Sequence, residues 1–301
     1  MEAIVFDRFG GSEVLRVAEA DVPRPGPGQV RLRVVSAAVN PVDYKIRNGW
    51  LDAFFPTVFP AVPGWEAAGV VDEVGAGVTG LAPGDEVFGF TDTGAYAAFA
   101  LATVVARKPA GLGWDEAAAL PVAGETAQRV LGLLGVTGGE TVLVHGAAGG
   151  VGGVAVQLAV ARGATVIGTA SAGNHDYLRS LGAIPVAYGD GLVSRVRAVA
   201  PQGVDAVLDA AGHGAVHASV ELRGTADRIV TIADAAAAQE AGVPFSANGE
   251  RTAEALAELA ALAVAGRLHI EVADTFPLAE AAKAHDRSEA GHTRGKLLLH
   301  P

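Results

Sequence analysis

The residues with the strongest claim to chemistry are the glycines of Thr141-Val-Leu-Val-His-Gly-Ala-Ala-Gly-Gly-Val-Gly-Gly153. An apolar run enters a glycine cluster that opens a helical stretch, and a second apolar run, Thr165 to Thr169, follows about 20 residues on. Glycines there permit a tight turn and let backbone amides approach a pyrophosphate, which sits at the positive end of the helix. Ala147 stands where the usual pattern has its first glycine. The candidate contacts are Ala148, Gly149, Gly150, Val151 and Gly152. The end of the second run decides the dinucleotide. An unphosphorylated ribose calls for Asp or Glu on its 2′-hydroxyl. Gly168-Thr-Ala-Ser-Ala-Gly-Asn-His175 carries no carboxylate before Asp176. Thr169, Ser171 and Asn174 leave room for a 2′-phosphate, with His175 and Arg179 as the nearest cations, so the expected cofactor is NADPH.

A second group of reactive side chains is Asn40, Asp43, Tyr44 and Lys45, read as a loop after a strand. Asn-Pro and Asp are ordinary turn formers, so turn chemistry and substrate contact stand side by side here. Tyr44 and Lys45 are the nearby groups able to hydrogen-bond or protonate a developing enolate. Lys45 has an alternative role at a cofactor ribose, and Tyr44 an alternative place in the core. Glu125 reads better as a solvated acid in a helical first turn than as a general acid. His213, His217 and Glu221 fall at i, i+4 and i+8, which resembles a metal stripe but reads better as a solvated helix face. His145 reads as a hydrogen-bonded structural histidine. Trp50, Phe54, Phe55 and Phe59 are equally consistent with core and with a flexible rim over an apolar substrate. No Gly-x-Ser-x-Gly elbow supports a serine hydrolase.

These side chains must be positioned by two kinds of structure. The first 110 or so residues are β-rich: runs at Gln29–Val39, Ala68–Val74, Glu86–Phe90 and Tyr96–Val105 are separated by Gly/Pro turns, suggesting a partly open barrel or sandwich. Beyond Trp114 a helix starts at Asp115–Leu120 and continues at Thr126–Leu134. Strands at Thr141–His145, Thr165–Thr169, Ile184–Ala187, Ala206–Asp209 and Arg228–Ile232 then alternate with helices at Val151–Arg162, Asp176–Leu181, Leu192–Ala200 and His213–Leu222. Such alternation makes a doubly wound parallel sheet, so the class is α/β. Thr252–Ala265 is an amphipathic helix, and the Gly295–His300 strand implies that the tail returns to the first domain.

The composition excludes other chemistries. Half of the 301 residues are hydrophobic and 18% charged, enough for a core and too apolar for disorder. A net charge of −11 disfavours nucleic acid and anionic membranes. The absence of cysteine removes disulfides, thiolate zinc sites and cysteine nucleophiles. Mean hydropathy is +0.33, yet no apolar run approaches the roughly 20 residues of a membrane span. The N-terminus enters a strand pattern without a basic leader, and a cytoplasmic location is expected.

With these residues in view, the chain resembles the zinc-free branch of the medium-chain dehydrogenase/reductase superfamily, which holds quinone oxidoreductases, zeta-crystallin and enone or 2-alkenal reductases. The resemblance rests on Ala38-Val-Asn-Pro-Val-Asp-Tyr-Lys-Ile-Arg47, Pro63-Gly-Trp-Glu-Ala-Ala-Gly69, Pro83-Gly-Asp-Glu-Val-Phe88, Leu120-Pro-Val-Ala-Gly-Glu-Thr-Ala127, the glycine loop, Leu178-Arg-Ser-Leu-Gly-Ala183 and Gly291-His-Thr-Arg-Gly-Lys296. It implies a GroES-like β-rich catalytic domain, a Rossmann domain binding NADPH, and a small-molecule enone or quinone substrate. The expected domains are 1–118, 119–245 and a return to the catalytic domain over 246–301. Zinc-using relatives place their ligands where this chain has Asn40, Trp65 and Val122, so metal-assisted chemistry is not expected. Asn40 is placed in the substrate pocket, Thr126 near the nicotinamide, and Tyr188 and Lys296 at the cofactor. A homodimer is expected, without nucleic-acid or membrane partners. Two alternatives remain: a weakly catalytic NADPH-binding structural or partner-binding protein, and a biosynthetic enoyl reductase acting on a carrier-bound substrate.

Overall fold

The computed structural model describes residues 1–301, whose contacts gather into two compact units. The first comprises Met1–Val122, Arg251–Gly266 and Ile270–Pro301; the second, Ala123–Glu250 and Arg267–His269.

The first unit begins with β1 (Glu2–Val5) and β2 (Arg16–Glu19), an antiparallel pair in register from Glu2↔Glu19 to Val5↔Arg16. β3 (Val30–Val39) runs directly into α1 (Pro41–Arg47). The expected loop at Asn40–Lys45 is therefore a helix. Its start follows capping rules: Asn40 is the N-cap, Pro41 takes the first position, and Asp43 at the third accepts the Asn40 N–H at 2.8 Å. β4 (Glu66–Val74) and β5 (Glu86–Phe90) follow. The single run expected over Tyr96–Val105 is two strands, β6 (Phe99–Ala102) and β7 (Val104–Arg107). They serve different partners, β6 pairing with β3 and β7 with β5. α2 (Trp114–Leu133) is one helix through Pro121. Proline cannot donate to the carbonyl one turn back, and the next amide, Val122 N–H, is spent outside the helix on Glu66 Oε2 at 2.6 Å.

In the second unit β8 (Thr141–His145), α3 (Gly150–Ala161), β9 (Thr165–Ala170), α4 (His175–Ser180), β10 (Ile184–Ala187), α5 (Leu192–Val199), β11 (Ala206–Asp209), α6 (Ala215–Arg223), β12 (Ile229–Thr231) and α7 (Ala235–Ala241) alternate. The five strands are all parallel, in the order β10-β9-β8-β11-β12. The first strand lies at the centre and the chain winds outward both ways from it. The switch point, where such sheets bind ligands, is therefore the C-terminal end of β8. Leu143, Ile167, Val207, Val216 and Ile229 are buried together here, each removed from water at a gain of about 1.5–3 kcal/mol.

The chain then forms α8 (Ala253–Val264), capped by Thr252, whose hydroxyl accepts the Ala255 N–H. β13 (Val272–Pro277), α9 (Ala281–Ala290) and β14 (Lys296–His300) belong to the first unit. Its larger sheet has the order β13-β14-β3-β4-β5-β7, so the last strand of the chain lies beside β3. Ile4, Val39, Tyr96, Leu278, Leu297 and Leu299 share its core. No helix is long and apolar enough to cross a membrane.

Candidate active site

The three positions singled out as zinc-ligand sites in relatives are drawn together around one carboxylate. Glu66, fully buried at the start of β4, accepts the Val122 N–H through Oε2 and the Asn40 side-chain amide through Oε1 at 2.8 Å. Trp65 precedes it in the chain. Lys296, at the first position of β14, places Nζ 2.7 Å from Glu66 Oε1 and 2.5 Å from Asn40 Oδ1. The pair is 5% and 0% exposed. Desolvating two ions is costly, and short charge-assisted bonds with satisfied neighbours are what offset it. Asn40, 4% exposed, is thus held from both ends of its amide, with one of its two Nδ2 hydrogens committed to Glu66. Lys296 was expected at the cofactor; its ammonium is instead spent on Asn40 and Glu66. Glu66 stood within a recognised motif without a role assigned, although a carboxylate heading the apolar run Ala67-Ala-Gly-Val-Val71 was its visible signal.

From Asn40 a second buried chain leads inward. Arg47 can only donate, so its contact with His285 Nδ1 at 3.2 Å puts the ring proton on Nε2. Nε2–H then faces the Tyr96 oxygen at 3.3 Å, and Tyr96 O–H donates to Asp43 Oδ2 at 2.9 Å. Arg47 is anchored at the other end by Glu289 at 2.6 Å. Burial pushes the Asp43 carboxyl up to about 7, against the lowering effect of its hydrogen bonds, and Oδ1 has no partner. Burial, then the Arg47 charge, holds His285 down at about 3. Tyr96, Arg47, His285 and Glu289 were not anticipated, because residues 189 to 242 positions apart in sequence meet here.

The other two candidate donors lie on α1. Tyr44 is half-buried and edge-on to Trp50 at 6.1 Å; burial, with the Glu289 charge, raises its phenol above the ordinary value. Lys45 is half-buried. Of the aromatic group, Trp50 and Phe54 are exposed, Phe55 packs edge-on to Trp65 at 5.3 Å, and Phe59 meets Phe6 and Phe9. The group divides between core and surface.

In the second unit the loop from β8 to α3 is built from backbone. Gly146 takes φ +69°, where a side chain is strained. A Cβ on Gly152 would overlap the Gly146 carbonyl, and one on Gly149 would not. Gly149 caps α3 with no side-chain hydrogen bond, so the first-turn amides meet no internal acceptor. Gly150, Val151 and Gly152 form that first turn, and Ala148 precedes the cap. This bare helix start fits a pyrophosphate. Thr169, expected as a cofactor contact, turns inward: it is buried, its hydroxyl accepts the Gly146 N–H at 3.3 Å and its carbonyl the Ala147 N–H at 3.1 Å. His145 lies between Thr169 Oγ1 (3.3 Å) and Ser219 Oγ (3.1 Å), and burial holds it down at about 4.

Past β9, Asn174 bonds Ser171 through its backbone and its side chain. His175 begins α4 with Nε2 buried and unpartnered, while Arg179 is paired with Asp176 at 2.6 Å. Tyr188 is exposed beyond β10, in a turn whose carbonyls are gathered by Arg195. Thr126 is buried on α2 beside Glu125, which is paired with Arg129 at 2.6 Å rather than solvated. His213 precedes α6 at φ +53°, so it does not continue the face of His217 and Glu221; His217 instead faces Glu240 at 3.6 Å.

Comparison with known proteins agrees with this architecture. Residues 26–161 match the alcohol dehydrogenase GroES-like domain and residues 181–299 the zinc-binding dehydrogenase family. The chain is 34% identical to a 2-methylene-furan-3-one reductase of Solanum lycopersicum over its whole length and 79% of the relative. It is 39% identical, over 94% of its length, to 8% of a pikromycin polyketide synthase component of Streptomyces venezuelae. The structure of Escherichia coli quinone oxidoreductase complexed with NADPH matches all of both chains with a TM-score of 0.89 at 28% identity. The chain is an oxidoreductase that belongs to the medium-chain dehydrogenase/reductase superfamily, in the branch of quinone oxidoreductases and enone reductases.

Proposed function

We propose that this chain is an NADPH-dependent reductase of conjugated carbonyl compounds or quinones that works without zinc. The observation that carries the reading is the Asn40–Glu66–Lys296 cluster. At the three positions where zinc-using relatives hold metal, this chain has an amide, an indole and an isopropyl side chain, and a buried lysine supplies the positive charge beside them. When bound, NADPH supplies a hydride, and the cofactor carries the hard part of the chemistry. The bare start of α3 would hold its pyrophosphate, and the Ser171–His175 turn its 2′-phosphate.

The protein's own task is to place the acceptor and to stabilise charge. Hydride addition to the β-carbon of an enone moves the π electrons to the carbonyl oxygen. Asn40 offers its second amide hydrogen to that oxygen, already oriented by Glu66 and Lys296, so little reorganisation is needed as charge develops. Lys45 and Tyr44 are the remaining donors. The raised Tyr44 phenol stays protonated at neutral pH, and it or solvent returns a proton to the α-carbon. The zeta-crystallin-like alternative, a cofactor binder with little turnover, shares every feature of the glycine loop. The polyketide synthase similarity favours one second reading, an enoyl reductase on a carrier-bound thioester.

One assay separates these. NADPH oxidation is followed at saturating cofactor with an aliphatic enal, a cyclic enone, a quinone and a crotonyl thioester. Turnover of a free enone or quinone is expected. Turnover of the thioester alone selects the second reading, and tight NADPH binding without turnover overturns both.

A further inference from the structure

The first unit contains a second feature that the reaction just described does not use. The guanidinium of Arg251, just before α8, lies over two aromatic rings, 4.4 Å from the centre of Phe90 and 5.6 Å from that of Trp65. Phe55 meets Trp65 edge-on on the same cluster. Phe90 ends β5 and pairs in register with Glu66, the carboxylate that holds Asn40. The next residue, Thr91, donates its backbone N–H to the Trp65 carbonyl at 3.0 Å. Its side chain is 8% exposed and its hydroxyl oxygen is buried with no partner. A buried hydroxyl without a partner costs about 1–3 kcal/mol, which a ligand group could recover. Arg251, Trp65 and Phe55 are each only half-buried, so the cluster is open to a ligand.

We propose that Arg251, Trp65, Phe90 and Thr91 form a recognition surface for flat conjugated rings bearing acceptor oxygens, and that the chain therefore prefers quinones to aliphatic enals. The proposal rests on the reductase reading above. The chemistry follows from the groups. A guanidinium stacked on aromatic faces is fixed in orientation while its in-plane N–H groups serve oxygen acceptors. An indole face adds a stacking partner for a planar ring. A short aliphatic enal has one oxygen and no ring, so it can use only part of this surface. Reduction of a quinone takes two electrons and two hydrogens. A hydride goes to one oxygen as the C4–H bond of the reduced nicotinamide breaks, and solvent gives a proton to the other; the products are hydroquinone and NADP+. Negative charge grows on the second oxygen before that proton arrives, and the Arg251 donors stabilise it there.

The test compares wild type with Arg251→Met, Arg251→Lys and Thr91→Val, each assayed with 1,4-naphthoquinone and trans-2-hexenal. Anaerobic titration with 1,4-dihydroxynaphthalene, read by tryptophan fluorescence, measures recognition without turnover. Arg251→Met is expected to lower kcat/KM for the quinone about 10- to 100-fold and to weaken hydroquinone binding by a similar factor, with the enal changed less than about threefold. Arg251→Lys keeps the charge but not the stacked fork, and should fall in between. Thr91→Val should cost the quinone about three- to tenfold. Equal losses on both substrates, or unchanged hydroquinone binding in all three variants, overturn the proposal. Should Arg251→Met fail to fold, the other two variants decide by the same criteria. If wild type reduces neither substrate, the reductase reading fails, and the hydroquinone titrations still judge the recognition surface.

Discussion

The two units hold their functional groups in opposite ways. In the first, the candidate site is made of charged side chains taken out of water: Lys296 against Glu66, Arg47 against Glu289, and Asp43 under Tyr96. In the second, it is made of backbone: a Gly146 carbonyl that excludes any Cβ at Gly152, and amides at the start of α3. Side-chain clusters let one charge orient a reacting group, yet every member depends on its partner. A backbone cradle carries no charge balance and depends only on which residues lack a side chain. The first unit should therefore fail through electrostatics and the second through sterics.

The largest effect is expected from Lys296→Met. It leaves Glu66 buried without a counter-ion, and such removals cost about 3–5 kcal/mol. Denaturant unfolding should show the loss, and Lys296→Met with Glu66→Leu should recover much of it, since replacing both partners by apolar groups removes the stranded charge. A single variant within about 1 kcal/mol of wild type would show that the pair is not under electrostatic load.

Gly152→Val probes the other unit. The valine must displace the Gly146 carbonyl, and with it the turn that the Thr169 hydroxyl holds. We expect NADPH affinity to drop at least about a hundredfold while circular dichroism keeps its native shape, because the cost falls on the turn and not on the β-rich unit. A folded variant with near-native affinity would remove the glycine loop from the site.

Acid and base should also separate the units. Asp43, ordinarily near 3.9, is raised to about 7 in the native state, so the folded protein binds the extra proton. Its contribution is most favourable below about 4 and is lost as pH rises through about 7. His145 runs the other way: held at about 4 when folded and near 6.5 when unfolded, it favours the native state above 6.5 and costs stability as pH falls towards 4. His285 adds to the same acid-side slope. Thermal midpoints from pH 4 to pH 8 should show Asp43→Asn losing the neutral-side slope alone and His145→Asn losing part of the acid-side one. A wild-type slope unchanged by Asp43→Asn would mean that the carboxyl stays ionised throughout.

The same contrast explains what could be read from the sequence. Buried parallel strands are continuous apolar runs bounded by glycine and proline, so Thr141–His145, Ile184–Ala187 and Ala206–Asp209 are legible to the residue. The glycine loop is legible because its function depends on local residues. The Asn40 cluster is not, because its bonds join Asn40 to Lys296 across 256 positions and Glu66 to Lys296 across 230. α1 was missed for a different reason: Asn, Pro and Asp are turn formers and helix-start residues alike, and only the register of Asp43 on the Asn40 amide decides between them. The β6–β7 break was hidden because Thr103 continues a strand-like pattern while the chain changes partners.

The smallest effect expected is a shift of cofactor preference at the turn after β9. The sequence suggests Ala170 as the place to install a carboxylate, but Ala170 is buried at the end of β9, and an aspartate there would bring a desolvation cost unrelated to the cofactor. Ser171 is the better position. It is half-buried, and its side-chain oxygen already accepts the Asn174 amide at 3.2 Å, a role that a carboxylate oxygen can keep. Ser171→Asp should then act through charge alone, repelling a 2′-phosphate and offering an acceptor to a 2′-hydroxyl. Wild type should bind NADPH more tightly than NADH, and the variant should narrow that ratio about tenfold, roughly 1.4 kcal/mol, with most of the change in NADPH. Because the interaction is between partly exposed charges, raising the salt concentration should shrink the difference. Fluorescence titration of both dinucleotides at low and high salt measures each quantity. Equal wild-type affinities, or a variant ratio that ignores salt, would place 2′-phosphate discrimination outside this turn and leave the backbone cradle as the second unit's sole contribution to binding.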